Sequence, residues 1–245
     1  MSLLAGWTAV VTGGANGLGL AIVERFAAAG ATGYALDLPG AFGCELPSDW
    51  TALPADVVDE QSVEGAFARV ASCDVIVAAA GIVPDWASTA DVDLNVWDDV
   101  FRVNSRGVMT TIKHGARALS DGGAIVAMGS LNSWRGDPNI AAYAGSKHAV
   151  LGIVRSAALD LGRRGIRVNA LGPGPIATEA LLARMRRREL ECGIPLEDAL
   201  ASAAAQTALG RIATSAEVAN AALFLASDLS SGITGHLLPV DAGIL

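Results

Sequence analysis

The sequence predicts an α/β fold, a doubly wound parallel sheet with helices on both faces. Two patterns predict it. Short runs rich in valine and isoleucine recur, each followed by a stretch of helical spacing. Glycines, 28 of 245 residues, gather at the ends of apolar runs, where strand–turn–helix corners need them. With 52% hydrophobic and 17% charged residues, the chain can fill one large core. No linker stands out, so residues 1–245 read as a single domain.

In chain order, Trp7–Val11 reads as a buried strand that opens the fold, not as a signal peptide, because no basic leader precedes it. Gly17–Ala29 follows as a helix with Leu20, Ile22, Val23 and Phe26 inward. Thr32–Leu36 is the second strand. The stretch from Pro39 to Pro54 is rich in proline and glycine and shows no clear helix. Next come a helix at Gln61–Ala71, a strand at Val75–Ala79, a long helix at Val96–Leu119 and a strand at Ala124–Met128. Ala141–Leu161 is helical, Ile166–Ala170 a strand, Ala216–Ala226 a helix and Leu237–Val240 the last strand. Between them, Ala177 to Ala208 reads as two helical pieces broken near Gly193-Ile194-Pro195.

Charge and composition exclude several classes. A net charge of −8 disfavours nucleic acid, whose phosphates need a basic surface. Glycines and charges break the apolar stretches well short of a bilayer span, so no membrane segment is expected. Cys44, Cys73 and Cys192 lie far apart and cannot all pair, which suits reduced thiols in the cytoplasm. His114, His148 and His236 are scattered, without ligand or triad spacing, so no metal is expected.

The turn Thr12-Gly13-Gly14-Ala15-Asn16-Gly17-Leu18-Gly19 links the first strand to the first helix. A pyrophosphate needs a tight turn, close backbone approach and free N–H groups at a helix N-terminus. Gly13, Gly17 and Gly19 meet those needs, although such a turn also serves mere tight packing. Asp37 ends the second strand, 18 positions beyond Gly19. A carboxylate there accepts both adenosine ribose hydroxyls and repels a 2′-phosphate; the plain alternative is a solvated strand end. No Arg or Lys occupies Gly14, Ala15 or Asn16, so the expected cofactor is NAD, not NADP.

Tyr143-Ala144-Gly145-Ser146-Lys147 places a phenol and an ammonium four residues apart on one helix face. A free tyrosine, with a pKa of about 10, is a poor base near neutrality. A neighbouring cation favours the phenolate. The pairing is common by chance, but here it follows a strand whose end carries Ser130, thirteen residues before Tyr143. Asn104 lies inside the preceding long helix, where a polar amide needs partners.

With these residues in place, the chain resembles the short-chain dehydrogenase/reductase family in its short single-domain branch, over nearly all 245 residues. Thr12-Gly13-x-x-x-Gly17-x-Gly19 matches the family's cofactor turn, and Asp56-Val57 the pair that holds adenine. Ser130, Tyr143, Lys147 and Asn104 match the catalytic set. Arg167-Val168-Asn169, running on to Pro173-Gly174 and Thr178, matches the segment that walls the nicotinamide. The tail from Phe224 to Asp241 is a further match. The resemblance implies a Rossmann-like sheet and cofactor contacts from Thr12, Gly13, Asn16, Gly17, Leu18, Gly19, Asp37, Asp56, Val57, Ala80 and Gly81. Tyr143, Lys147, Pro173, Gly174, Ile176 and Thr178 complete that set. It also implies the roles: Tyr143 exchanges the alcohol proton, Lys147 lowers its pKa and holds the nicotinamide ribose, Ser130 positions the substrate oxygen, and Asn104 holds a water.

The chain departs from the family at Ala78-Ala79-Ala80-Gly81, where an asparagine normally supports the sheet, so local rearrangement is expected. Ala242 in the tail is a milder change. The segment from Asp37 to Asp56 is short, which leaves the adenine side more open. A helical substrate lid is expected at about 177–208. Its arginines, Arg184, Arg186, Arg187 and Arg188, meet either a charged substrate group or solvent, with Glu191 placed to pair with Arg187. Trp86, Trp134, Asn132, Ser133 and Arg135 are placed either at the substrate or in loop packing.

The expected activity is interconversion of a secondary alcohol and its ketone. Alternatives are a 3-hydroxyacyl thioester, a polyol or a dihydrodiol as substrate, and, outside catalysis, an NAD-sensing regulator or scaffold. The partners expected are a small-molecule substrate and further copies of the chain, as a homotetramer or homodimer.

Overall fold

The computed structural model describes residues 2–43 and 45–244, apart from the side chains of Arg188, Glu191 and Cys192. Seven strands are found among these residues: β1 (Thr8–Thr12), β2 (Thr32–Asp37), β3 (Trp50–Pro54), β4 (Cys73–Ala78), β5 (Leu119–Met128), β6 (Arg167–Pro173) and β7 (Leu237–Val240). All pair in parallel, in the order β3-β2-β1-β4-β5-β6-β7. The winding reverses between β1 and β4, which opens a crevice beyond the carboxyl ends of the strands.

Burial on both faces explains the apolar runs, since neighbouring side chains point to opposite sides. Val11, Val77, Val126 and Leu171 meet α1 (Gly17–Ala28) and α8 (Ser215–Ala226) through Ile22, Phe26, Val218 and Leu225. On the other face Val10, Ile76, Ile125 and Val168 meet α2 (Glu60–Phe67), α4 (Gly107–Ala118) and α5 (Ala141–Leu161) through Phe67, Ile112 and Val154. The remaining helices are α3 (Leu94–Phe101), α6 (Glu179–Cys192) and α7 (Leu196–Ala205). No described helix is long and apolar enough to cross a membrane.

Three elements differ from expectation. The stretch from Pro39 to Pro54 ends in strand β3, which periodicity hid because β3 lies at the sheet edge. Trp50 and Leu53 are buried there while Thr51, Ala52 and Pro54 face solvent, and an edge tolerates the proline. The long helix expected over Val96–Leu119 runs unbroken from Leu94 to Ala118, but a π-helical turn at Arg102–Arg106 interrupts its α-helical steps between α3 and α4, and Leu119 already belongs to β5. No rearrangement accompanies Ala78: it pairs in register with Thr12 on β1 and Ala127 on β5, and the one shift in β4 lies between Cys73 and Val75. A buried alanine simply fills the sheet position.

Arg167 does not wall a ligand. It is buried at the start of β6, and its guanidinium donates to the carbonyls of Leu225 (2.7 Å), Ala226 (3.0 Å) and Ser227 (3.1 Å) and to Ser230 Oγ (2.5 Å). It thus satisfies the carbonyl end of α8. Asn169 likewise clasps the segment before β7, donating to the Ile233 carbonyl (2.8 Å) and accepting from the His236 N–H (3.1 Å).

Candidate active site

The expected nucleotide residues gather along the carboxyl edge of the sheet. Thr12 ends β1, Asp37 ends β2, Asp56 and Val57 follow β3, Ala80 and Gly81 follow β4, and Pro173 ends β6. Gly174 and Ile176 come next, and Thr178 caps α6, its Oγ1 accepting from the Leu181 N–H at 3.3 Å. The crevice fits a dinucleotide. Gly13 has φ +69°, and a Cβ there would stand 2.8 Å from the Cα of Ala80. A Cβ on Gly19 would strike the Gly13 carbonyl, so the turn closes only with glycine at both places. Gly17, at φ +55°, also sits in the left-handed region. Asn16 caps α1 with no side-chain hydrogen bond and no acidic residue fills the first turn, so the N-terminal N–H groups still suit an anion. Leu18 is half-buried at the inner mouth. Asp37 is locked in place: its Oδ2 accepts from Ala15 N–H (3.0 Å) and its Oδ1 from Leu38 N–H (2.8 Å). Asp56 accepts from Val58 N–H (2.9 Å), and Val57 is buried against Gly107.

Ser130 ends β5, and Tyr143 and Lys147 lie on the first turns of α5, so the structure brings the three together. Ser130 Oγ accepts from Asn132 N–H (3.1 Å), which leaves its own proton free to donate. Burial pushes the Tyr143 phenol up, hydrogen bonding from Ser130 draws it down, and so does the positive charge of Arg184. Lys147 is buried, and burial brings its ammonium down to about 8. Its Nζ donates to the Met128 carbonyl (2.8 Å) and stands 5.6 Å from the centre of the Tyr143 ring. Arg184 is thus a second cation near the phenol, one that the spacing of Tyr143 and Lys147 did not announce.

Asn104 sits in the π-helical turn. Its Oδ1 accepts from Ile82 N–H (2.8 Å), and its Nδ2 donates to the Ile82 carbonyl (2.8 Å) and to Ser146 Oγ (3.2 Å). The amide thus pins the loop after β4 to α5. A Cβ on Gly81 would lie 3.3 Å from Asn104 Oδ1 and 3.6 Å from Lys147 Nζ, which puts this loop against α5.

A cavity of about 290 Å³ opens over Ser130 and Tyr143. Its wall is mostly apolar, including Leu131, Ile140, Leu181 and Met185. Trp86 and Arg184 line both it and a neighbouring cavity of about 390 Å³, so the pair stands between the two. Asn132 lines the inner cavity, whereas Trp134 and Arg135 do not. Ser133 turns back to accept from the Ser130 N–H at 3.1 Å.

The arginine cluster divides. Arg184 faces the site. Arg186 pairs with Glu179 (3.0 Å) and Arg187 with Asp85 (2.8 Å). Arg188 and the Glu191 partner expected for Arg187 lie outside the described side chains, as do Cys44 and Cys192. The face of α6 that carries Leu181, Arg184 and Met185 has i, i+3, i+4 spacing, the one sequence signal for an inward arginine. Asp137, which also lines the cavity, carried no such signal.

Comparison with known proteins bears on the fold and the family. A family profile described as Enoyl-(Acyl carrier protein) reductase matches residues 13–245. The chain is 34% identical to a (+)-cis,cis-nepetalactol synthase of Nepeta racemosa, over 99% of this chain and 93% of that protein. It is 37% identical to a mitochondrial (-)-isopiperitenol/(-)-carveol dehydrogenase of Mentha piperita, over 98% and 94%. A solved carveol dehydrogenase of Mycobacterium avium, in complex with NAD, superposes with a TM-score of 0.89 at 30% identity, covering 99% of each chain. Fold and relatives define an oxidoreductase of the doubly wound class. The chain belongs to the short-chain dehydrogenase/reductase family.

Proposed function

We propose that this protein interconverts a small alicyclic secondary alcohol and its ketone with NAD. The observation that carries the proposal is the meeting of Ser130 and Tyr143 in one mostly apolar cavity beside the nucleotide crevice, with Lys147 Nζ behind the Tyr143 ring. At about 290 Å³ that cavity lies near the lower end of the roughly 300–1,000 Å³ usual for small-molecule sites, which favours a compact skeleton over a long acyl chain. Relatives named for carveol and isopiperitenol support the same substrate class. Others are named as synthases, so the redox reading rests on the intact catalytic set.

Tyr143 is the acid–base group: its oxygen takes the alcohol proton in oxidation and returns it to the carbonyl oxygen in reduction. Ser130 donates to that same oxygen and steadies the charge it gains. Lys147, with a pKa of about 8, keeps a proton within reach of the site and would hold the nicotinamide ribose. Bound NAD supplies the hydride acceptor. The glycine turn, Asp37, Asp56 and Val57 would hold its adenosine half, and Asp37 disfavours a 2′-phosphate. Asn104 is a positioning residue through its clasp on Ile82. A homotetramer in the cytoplasm completes the reading; exposed Leu94, Val96 and Met109 on α3 and α4 supply apolar surface for subunit contact.

The test follows nicotinamide absorbance with NAD and with NADP over a panel of alicyclic alcohols, hydroxyacyl thioesters and polyols. Turnover is expected with NAD on the alicyclic alcohols. Tyr143→Phe should lower it roughly 10²–10⁴-fold while NAD binding persists. Retention of most of the rate in that variant would remove the assignment.

A further inference from the structure

Two side-chain nitrogens among the described residues are buried without a hydrogen-bond partner, Asn132 Nδ2 and Arg184 Nε, and both belong to residues that line the catalytic cavity. Asn132 stands on the turn after β5, with 6% of its surface exposed. Arg184 reaches in from α6, its guanidinium over the ring of Trp86 at 4.1 Å. Neighbouring arginines are neutralised by carboxylates, whereas no carboxylate within 4 Å of Arg184 is found among the described residues. Leaving a buried donor unpaired costs about 1–3 kcal/mol, and more when the group is charged. Such groups call for a completing partner, an ordered water or a ligand atom, and two of them on one substrate-sized cavity favour the ligand. Both nitrogens are donors, so the completing atom must be an acceptor.

We propose that Asn132 and Arg184 form a recognition site for a second oxygen of the substrate, a carboxylate or a carbonyl, set apart from the reacting carbinol carbon. The proposal rests on the alcohol–ketone reading above and narrows it: the preferred substrate is an alicyclic alcohol that carries a second acceptor oxygen. A plain hydrocarbon ring leaves both donors unpaired in the complex. A site built around such donors rejects an analogue lacking the acceptor far more strongly than an apolar wall rejects a missing methylene.

The experiment compares kcat/KM for three alcohols on the same enzyme: cyclohexanol, 4-hydroxycyclohexanone and 4-hydroxycyclohexanecarboxylate. The wild type is expected to favour at least one oxygenated alcohol over cyclohexanol by tenfold or more. Arg184→Met and Asn132→Leu are each expected to cut that ratio at least fivefold, and Arg184→Lys to restore part of it for the carboxylate. Using a ratio cancels any general effect of Arg184 on Tyr143 or on the lid, because that effect falls on all three substrates. A larger ratio for the carboxylate identifies a charged acceptor, and a larger one for the ketone a neutral acceptor.

A ratio near one in the wild type, or one unchanged in both variants, overturns the proposal. Binding of cyclohexanecarboxylate and cyclohexanone to the enzyme with NAD, read by calorimetry, is independent of turnover. If one of them binds, and binding weakens in Arg184→Met and Asn132→Leu while no alcohol is oxidised, the recognition site stands and the alcohol–ketone reading falls. If neither ligand binds and no alcohol is oxidised, both fall.

Discussion

The guanidinium of Arg184 on α6 lies 4.1 Å from the ring centre of Trp86, on the loop after β4, and this stack joins α6 to the body of the protein beside the cavity over Tyr143. The neighbouring pair Arg187–Asp85 spans the same gap at 2.8 Å, but both partners are more than half exposed. Exposed pairs of that kind contribute little, so the stack is the stronger of the two ties.

Removing the ring is therefore expected to loosen α6. Trp86→Leu is expected to raise KM for every substrate by roughly 2- to 30-fold, the range spanned by about 0.5–2 kcal/mol for a cation over an aromatic face. Steady-state kinetics, with limited proteolysis near α6, checks this. An unchanged KM and an unchanged cleavage rate would show that the stack does not hold α6 in place.

Under the proposed mechanism, Arg184 also bears on the pH at which Tyr143 works. Burial raises the phenol, and the charge of Arg184 draws it back. Oxidation uses the phenolate, so its kcat/KM rises with pH toward the Tyr143 pKa. Taking away the positive charge removes a downward pull, so in Arg184→Met the rising limb moves to higher pH. Arg184→Lys keeps the charge and is expected to leave the limb near its wild-type position. A pH–rate profile of the three enzymes decides the point.

Asp37 is fixed by two backbone N–H groups, so its carboxylate cannot swing aside for a phosphate. Asp37→Ser should lower the preference for NAD over NADP by at least about tenfold, worth ~1.4 kcal/mol. The ratio of kcat/KM for the two nucleotides measures it. A ratio that stays put would move cofactor choice elsewhere in the crevice.

Arg167 is expected to matter for stability and not for catalysis. Replacing it with methionine strands the carbonyls of Leu225, Ala226 and Ser227, a loss of about 3 kcal/mol. For a chain of this length that is a drop of roughly 6–12 °C in Tm. Lysine cannot reproduce the planar fork and should recover only a fraction. Thermal unfolding, with KM measured below the transition, separates this role from one at the cavity.

Much of this architecture was legible in the sequence because its determinants are local. The glycines of the first turn and the Tyr143–Lys147 spacing declare their geometry within a few residues. Strand β3 was hidden because an edge strand buries only part of its surface and so loses the apolar run that marks its neighbours. The place of Arg184 was hidden for another reason. Its charge reaches Tyr143 because of how α6 crosses the cavity, and Lys147 Nζ meets the Met128 carbonyl at the end of a separate strand. Both are tertiary relations between segments far apart in the chain. Arg167 was misplaced because its match to a cofactor-walling segment carried no information on burial.

The π-helical turn at Arg102–Arg106 has a consequence for how the chain tolerates change in length. Its closing bond runs from the Gly107 N–H to the Arg102 carbonyl, one residue longer than an α-helical step. Such a turn absorbs one extra residue and leaves the helices on either side facing as a continuous α-helix would. Deleting a single residue there would remove the bulge, so Val108 and Ile112 would keep their places in the core while Asn104 lost the turn that aims it at Ile82. Most loops shrug off a missing residue, but here the count itself is a structural element, and its removal would undo the Asn104 clasp while sparing the helix that follows.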